Sequence, residues 1–190
     1  VSDRDLETLH ALRADGVVCV IATGRSLHSA RRVLEPTLPV DYLLFSSGAG
    51  IMDWPAQRLI RSQCLSGGEV ARIAAVLEEE RISYMVHDPI PENHCFAYRE
   101  LQVEDTDFRR RCEFSAEWCR ELDPRCLEAL SACQLIGIFR PDAERFNRVR
   151  GRLEEFSVIR ATSPLDGQSM WMEIFPPNVS KSASSDWLMR

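Results

Sequence analysis

Three short segments of the chain carry groups suited to holding an anion: Thr23-Gly24-Arg25, Ser46-Ser47-Gly48 and Lys181. A threonine hydroxyl followed by free amides at the opening of a helix can bind an anionic oxygen, because a helix N-terminus favours negative charge. Glycine lets the backbone come close. Arg25 can add charge-assisted bonds to a phosphate or to another substrate group. Lys181, near a helix start, is unfavourable against the helix dipole and acts there as a point charge awaiting an anion. Each feature also has an ordinary reading. Strand-to-helix turns use such loops, and a lone lysine is commonly a solvated surface residue.

The elements that position these groups follow from hydrophobic patterning. Ser2 is a helix N-cap with Asp5 in the capping-box position, and Leu6, Leu9 and Leu12 recur at helical spacing up to Asp15-Gly16, where the glycine supplies a C-cap. The run Val17-Val18-Cys19-Val20-Ile21-Ala22 predicts a strand buried on both faces, as in a parallel sheet. A helix over Leu27 to Leu34 follows, stopped by Pro36, then a buried strand over Tyr42 to Phe45. Helix, strand, helix, strand with short connections predicts an α/β fold with a doubly wound, Rossmann-like sheet. In such sheets ligands collect outside the carboxyl ends of the parallel strands, where Thr23-Gly24-Arg25 and Ser47-Gly48 both fall.

After Ile51 the texture changes, and residues 52–174 read as a separate α+β unit with an antiparallel sheet. Arg58 to Leu65, Ile82 to Val86, Cys95 to Arg99 and Ala132 to Phe139 predict strands. Gly68 to Arg81 and Asp142 to Phe156 predict helices, and Val103 to Leu122 helix and loop. Asp166-Gly167 between Val158 to Ser163 and Met170 to Phe175 is a hairpin signal. Pro176-Pro177-Asn178 ends the last strand, and a helix begins near Lys181. The first domain is therefore discontinuous, comprising residues 1–51 and 175–190.

Composition narrows the partners. The chain has 190 residues, 45% apolar and 27% charged, with a net charge of −6. An acidic balance with scattered basic residues argues against nucleic acid; the run Arg109-Arg110-Arg111 fits a solvated helix face. No apolar stretch approaches the roughly 20 residues that span a bilayer, so no membrane partner is expected. Seven cysteines, an odd number, with no pair at zinc-type spacing, read as reduced, buried thiols of a cytoplasmic protein, and no metal ligand set is assigned. His87 and His94 at strand edges are structural or solvent-exposed, with a substrate-facing role the alternative. Trp54, Trp118 and Trp171 read as core or interface. A chain that opens directly on a helix cap, without a signal peptide, implies sequence before residue 1.

In order along the chain, Ile21-Ala22-Thr23-Gly24-Arg25-Ser26, then Ser47-Gly48-Ala49, then a long α/β insertion, then Met172-Glu173-Ile174-Phe175 and Asn178-Val179-Ser180-Lys181 resemble the haloacid dehalogenase superfamily. The similarity is to its Cof-type sugar-phosphatase branch, with a large inserted cap. The resemblance implies that Thr23 binds the phosphoryl group and Lys181 neutralises its charge and that of an aspartyl intermediate. Gly24, Arg25, Ser47 and Gly48 line the substrate. It also implies Mg2+ as cofactor and a small phosphorylated metabolite as substrate. Where the family pattern has Asn-Gly-Ala, this chain has Ser47-Gly48-Ala49, and its Lys-Gly pair is Lys181-Ser182. The family's Asp-x-Asp-Gly-Thr motif and second acidic motif have no counterpart in residues 1–190: Asp3-Arg4-Asp5 belongs to a helix start, and Asp186 lies within a helix. The expectation is a partial core whose metal ligands lie elsewhere, inactive as it stands. A non-catalytic binding module and a doubly wound domain for another anion are the alternatives.

Overall fold

A computed structural model describes residues 1–102 and 106–190. The chain divides into two compact units, Val1–Gln63 with Val179–Arg190, and Cys64–Asn178.

In the first unit, α1 (Asp3–Ala14) begins at the expected capping box: Ser2 Oγ accepts from Asp5 N, and the Asp5 carboxylate accepts from Ser2 N. It ends on Gly16 at φ 75°, with Val17 N bonded to the Leu12 carbonyl and Gly16 N to that of Arg13. That pair of bonds satisfies two terminal carbonyls at once. None of the α1 residues is buried. The four-stranded sheet has the order β1 (Val20–Ala22), β2 (Tyr42–Phe45), β3 (Gly50–Asp53), β4 (Arg58–Ser62). β1 and β2 run parallel; the β2–β3 and β3–β4 pairs are antiparallel. β1 is an edge strand, and Val17, Val18 and Val20 are 45%, 62% and 40% exposed. Burial of that run on both faces is therefore not seen within residues 1–190, where β1 pairs with β2 alone. By contrast, Leu43, Leu44 and Phe45 of β2 are fully buried.

The sequence reading divides the chain after Ile51, whereas the compact unit extends to Gln63. The reason is hydrogen bonding: β3 pairs with β2 and turns back through Trp54 to Gln57 into β4, so the hairpin belongs to this sheet. Asp53 Oδ1 accepts from Ala56 N and Gln57 adopts φ 50°, closing a turn that carries no strong hairpin signal. The helix α2 (Leu27–Arg31) is shorter than its apolar pattern and continues as a turn.

The second unit is a six-stranded sheet in the order β7-β6-β5-β8-β10-β9. The strands are β5 (Ser83–His87), β6 (Phe96–Arg99), β7 (Cys119–Glu121), β8 (Gln134–Phe139), β9 (Ser157–Thr162) and β10 (Met170–Phe175). All pairs are antiparallel except β6–β7. Side chains alternate across the pleat. Tyr84, Val86, Leu135, Phe139, Met172 and Ile174 pack with α3 (Gly67–Glu79) and α5 (Ala143–Arg152). Met85, Ile136, Ile138 and Trp171 pack with Phe108 of α4 (Thr106–Phe114). The expected helix-and-loop stretch from Val103 starts outside the described residues. β9 and β10 form the expected hairpin. Its connection is longer than an Asp-Gly turn, because the Asp166 carboxylate accepts from Gln168 N and Ser169 N and Gly167 alone takes positive φ. All seven cysteines are free. The described residues include no helix long and apolar enough to cross a membrane.

Candidate functional site

The loop after β1 is held by backbone bonds to the end of β2. Thr23 N donates to the Leu44 carbonyl at 2.8 Å, Ser47 N to the Thr23 carbonyl at 3.1 Å, and Ser46 N to the Arg25 carbonyl at 2.8 Å. The two parallel strands thus deliver both candidate loops to one place, at their carboxyl ends. Thr23 Oγ1 accepts from Arg25 N at 3.2 Å. A hydroxyl that accepts in this way keeps its proton to donate, so Thr23 can offer an O–H to an anionic oxygen. The Arg25 amide, expected to face a ligand, is instead spent inside the loop. The exposed Arg25 guanidinium lies along α2 and donates to Ser29 Oγ at 3.2 Å. Ser26 caps α2, accepting from Ser29 N.

The second loop is a short 3-10 turn, Ser46–Gly48, in which Ser46, Ser47 and Gly48 have φ of 49°, 55° and 100°. Left-handed backbone at two non-glycine residues costs energy and persists only where the surroundings fix it. The surroundings here are α6 (Lys181–Leu188). A Cβ on Gly48 would lie 2.5 Å from the Ser180 carbonyl oxygen and 2.6 Å from Ser184 Oγ, so only glycine fits. Ser184, 1% exposed, donates its hydroxyl to the Gly48 carbonyl at 2.7 Å. Ser180 caps α6 by accepting from Ala183 N. Lys181, the first helical residue, is exposed and directly follows the residue that touches Gly48. Gly24 is less constrained: a Cβ there would meet only Ser47 Oγ, at an ordinary 3.5 Å.

Five of the residues singled out from the sequence (Thr23, Gly24, Arg25, Ser47 and Gly48) therefore lie on two loops joined by backbone bonds, and Lys181 opens the helix whose Ser180 and Ser184 touch Gly48. Sequence reading missed Ser180 and Ser184, which hold α6 against the turn. Ser-rich Ser180-Lys181-Ser182-Ala183-Ser184 gives only a generic cap signal, and the Ser184 bond spans 136 residues of chain. The donor set at these loops does not fit a magnesium ion, which takes carboxylate and water oxygens. The carboxylates of Asp41 and Asp53 lie at the other end of β2, where Asp41 accepts from Cys19 N, and Asp53 accepts from Ala56 N and faces Arg58.

His87 is 2% exposed, and its Nδ1 lies 2.9 Å from the Asn93 carbonyl oxygen. Burial pushes its imidazole down to about 4, so it is neutral at physiological pH. It is a core group, as the structural reading of the strand-edge histidines expects. Trp54 is fully buried and Trp171 is 7% exposed.

Residues 1–189 match the family of haloacid dehalogenase-like hydrolases. No curated protein matches the chain. Among solved structures, a subclass IIB sugar phosphatase of this superfamily superposes with a TM-score of 0.69 at 15% identity, over 100% of this chain and 68% of that one. A phosphatase of the superfamily from Bacteroides thetaiotaomicron gives 0.73 at 17%, over 100% and 66%. A haloacid dehalogenase-like hydrolase from B. subtilis gives 0.67 at 19%, over 99% and 71%. The chain spans about two thirds of the length of these structures, and at such identities they speak for the fold: a Rossmann-like core with an inserted α/β cap. The family match covers nearly the whole chain, and the chain belongs to the haloacid dehalogenase-like hydrolases.

Proposed function

We propose that the chain supplies the phosphoryl-binding groups and the cap of a phosphatase acting on small phosphorylated metabolites, sugar phosphates foremost. In this reading the Thr23 hydroxyl donates to a phosphoryl oxygen and the Lys181 ammonium offsets its charge, both stabilising the charge that builds on the transferring group. Ser47 offers a hydroxyl beside Gly24, and Arg25 contacts the rest of the substrate. The aspartyl nucleophile and the carboxylates for magnesium are supplied by sequence outside residues 1–190, so residues 1–190 alone do not turn over. The observation that supports this reading is the convergence of the Thr23 loop, the Ser46–Gly48 turn and the start of α6. A solved structure of a sugar phosphatase shares the fold.

The test is a panel of phosphate monoesters, assayed with magnesium on the protein encoded by the intact gene. Hydrolysis that falls in Thr23→Val and Lys181→Gln supports the proposal. Phosphate binding without turnover by that protein would move the assignment to a non-catalytic anion-binding module.

A further inference from the structure

We propose that Glu92, His94 and Cys95, on the loop between β5 and β6, form a binding site for one divalent cation of the zinc class. Among the described residues they are the group whose carboxylate, imidazole and thiol ligand atoms all lie within 4.8 Å of one another. Neighbouring side chains on an extended chain point to opposite sides. Here a turn overrides that alternation: Cys95 N donates to the Glu92 carbonyl at 2.8 Å, Glu92 N to Pro89 at 2.9 Å, and Asp88 N to Cys95 at 2.9 Å. The turn is pinned from inside. Asn93 is 2% exposed, its carbonyl oxygen lies 2.9 Å from His87 Nδ1, and its amide donates to Cys133 Sγ at 3.5 Å. With Asn93 facing inward, the Glu92 side chain is exposed, while that of His94 is 17% exposed, with Nε2 3.8 Å from Glu92 Oε2 and its ring meeting Trp118 edge-on at 5.8 Å.

The chemistry fits a borderline-soft ion. Thiolate, imidazole and carboxylate are the zinc donors, and three protein ligands leave a fourth position to solvent. Metal–ligand bonds of about 2.0–2.3 Å require the three atoms to draw together by roughly 1 Å, which the exposed Glu92 side chain can supply. Binding exchanges the Cys95 thiol proton, released to solvent, for a metal–sulfur bond. Asp88 is not a fourth ligand: Arg120 holds both its oxygens, at 2.6 and 3.0 Å.

Co2+ titration of the reduced, metal-free protein tests the site. The expected result is one equivalent bound with a thiolate-to-cobalt charge-transfer band, displaced by Zn2+. Cys95→Ser abolishes the band. Glu92→Gln and His94→Gln each weaken binding by about 100-fold or more, beyond the roughly 10–100-fold that outer-shell changes cost, and Cys126→Ser changes nothing. A band that survives Cys95→Ser, or uptake of several equivalents with a Kd above about 100 μM, shows an adventitious ion only and overturns the proposal. Should Cys95→Ser fail to fold, the exposed Glu92→Gln decides: unchanged Co2+ affinity overturns it.

Discussion

The Ser184 hydroxyl donates a 2.7 Å hydrogen bond to the carbonyl of Gly48, joining the last helix to a turn of left-handed residues. This contact sets the start of α6 against the turn after β2. Ser184→Ala leaves a buried carbonyl without its donor and should cost about 1–3 kcal/mol. Gly48→Ala should cost more, since its Cβ would meet the Ser180 carbonyl at 2.5 Å. Gly24→Ala should leave stability nearly unchanged. Urea denaturation of the three variants checks this order; equal costs at Gly24 and Gly48 would contradict it.

Thr23 tests the hydroxyl directly. Thr23→Ser keeps the donor and should retain most phosphatase activity in the intact protein. Thr23→Val keeps the shape and loses the donor. A loss of about 10²–10³-fold in kcat is expected, the usual effect of removing one donor to a developing charge. Comparable rates for the Val and Ser variants would remove Thr23 from the site.

His87 gives a pH prediction. Burial holds its pKa at about 4 against the ordinary 6.5. Between those values the unfolded chain takes up a proton that the folded chain refuses, so stability is complete above pH 6.5 and falls as pH drops towards 4. The total loss is about 3 kcal/mol. Replacement by Gln should flatten the stability profile across that window, measured by denaturation at successive pH values. A slope unchanged in His87→Gln would assign the acid sensitivity to other groups.

Asp107, 3% exposed, accepts from the Trp171 indole N–H at 2.8 Å and from the Ser163 hydroxyl at 3.0 Å. It ties α4 to the β9–β10 hairpin. Asp107→Ala strands two buried donors and should destabilise by roughly 2–4 kcal/mol, with altered Trp171 fluorescence. Asp107→Asn, which keeps one acceptor oxygen, should cost less. Near-neutral Asp107→Ala would show that water replaces the carboxylate.

Legibility in the sequence followed the range of the forces involved. The caps of α1, the core pattern of β2 and the apolar runs of β8 and β10 are local and could be read directly. The β3–β4 hairpin was missed because Trp54 to Gln57 has no glycine; the left-handed Gln57 is held by its bonds to the Trp54 carbonyl and by Arg31. Of the site, Thr23, Ser47 and Lys181 were visible as types in a familiar order. Ser184 was not, since nothing local announces a serine whose partner lies 136 residues away.

The central claim is that Lys181 and Thr23 serve one phosphoryl group. The most direct measurement is magnesium-supported hydrolysis of phosphate monoesters by the protein of the intact gene, comparing wild type, Thr23→Val, Lys181→Gln and the double variant. Residues acting on one transition state are non-additive. The account predicts that each single variant loses about 10²-fold or more and that the double variant loses little beyond the worse single. Full activity in Lys181→Gln, or strictly multiplicative losses, would contradict it.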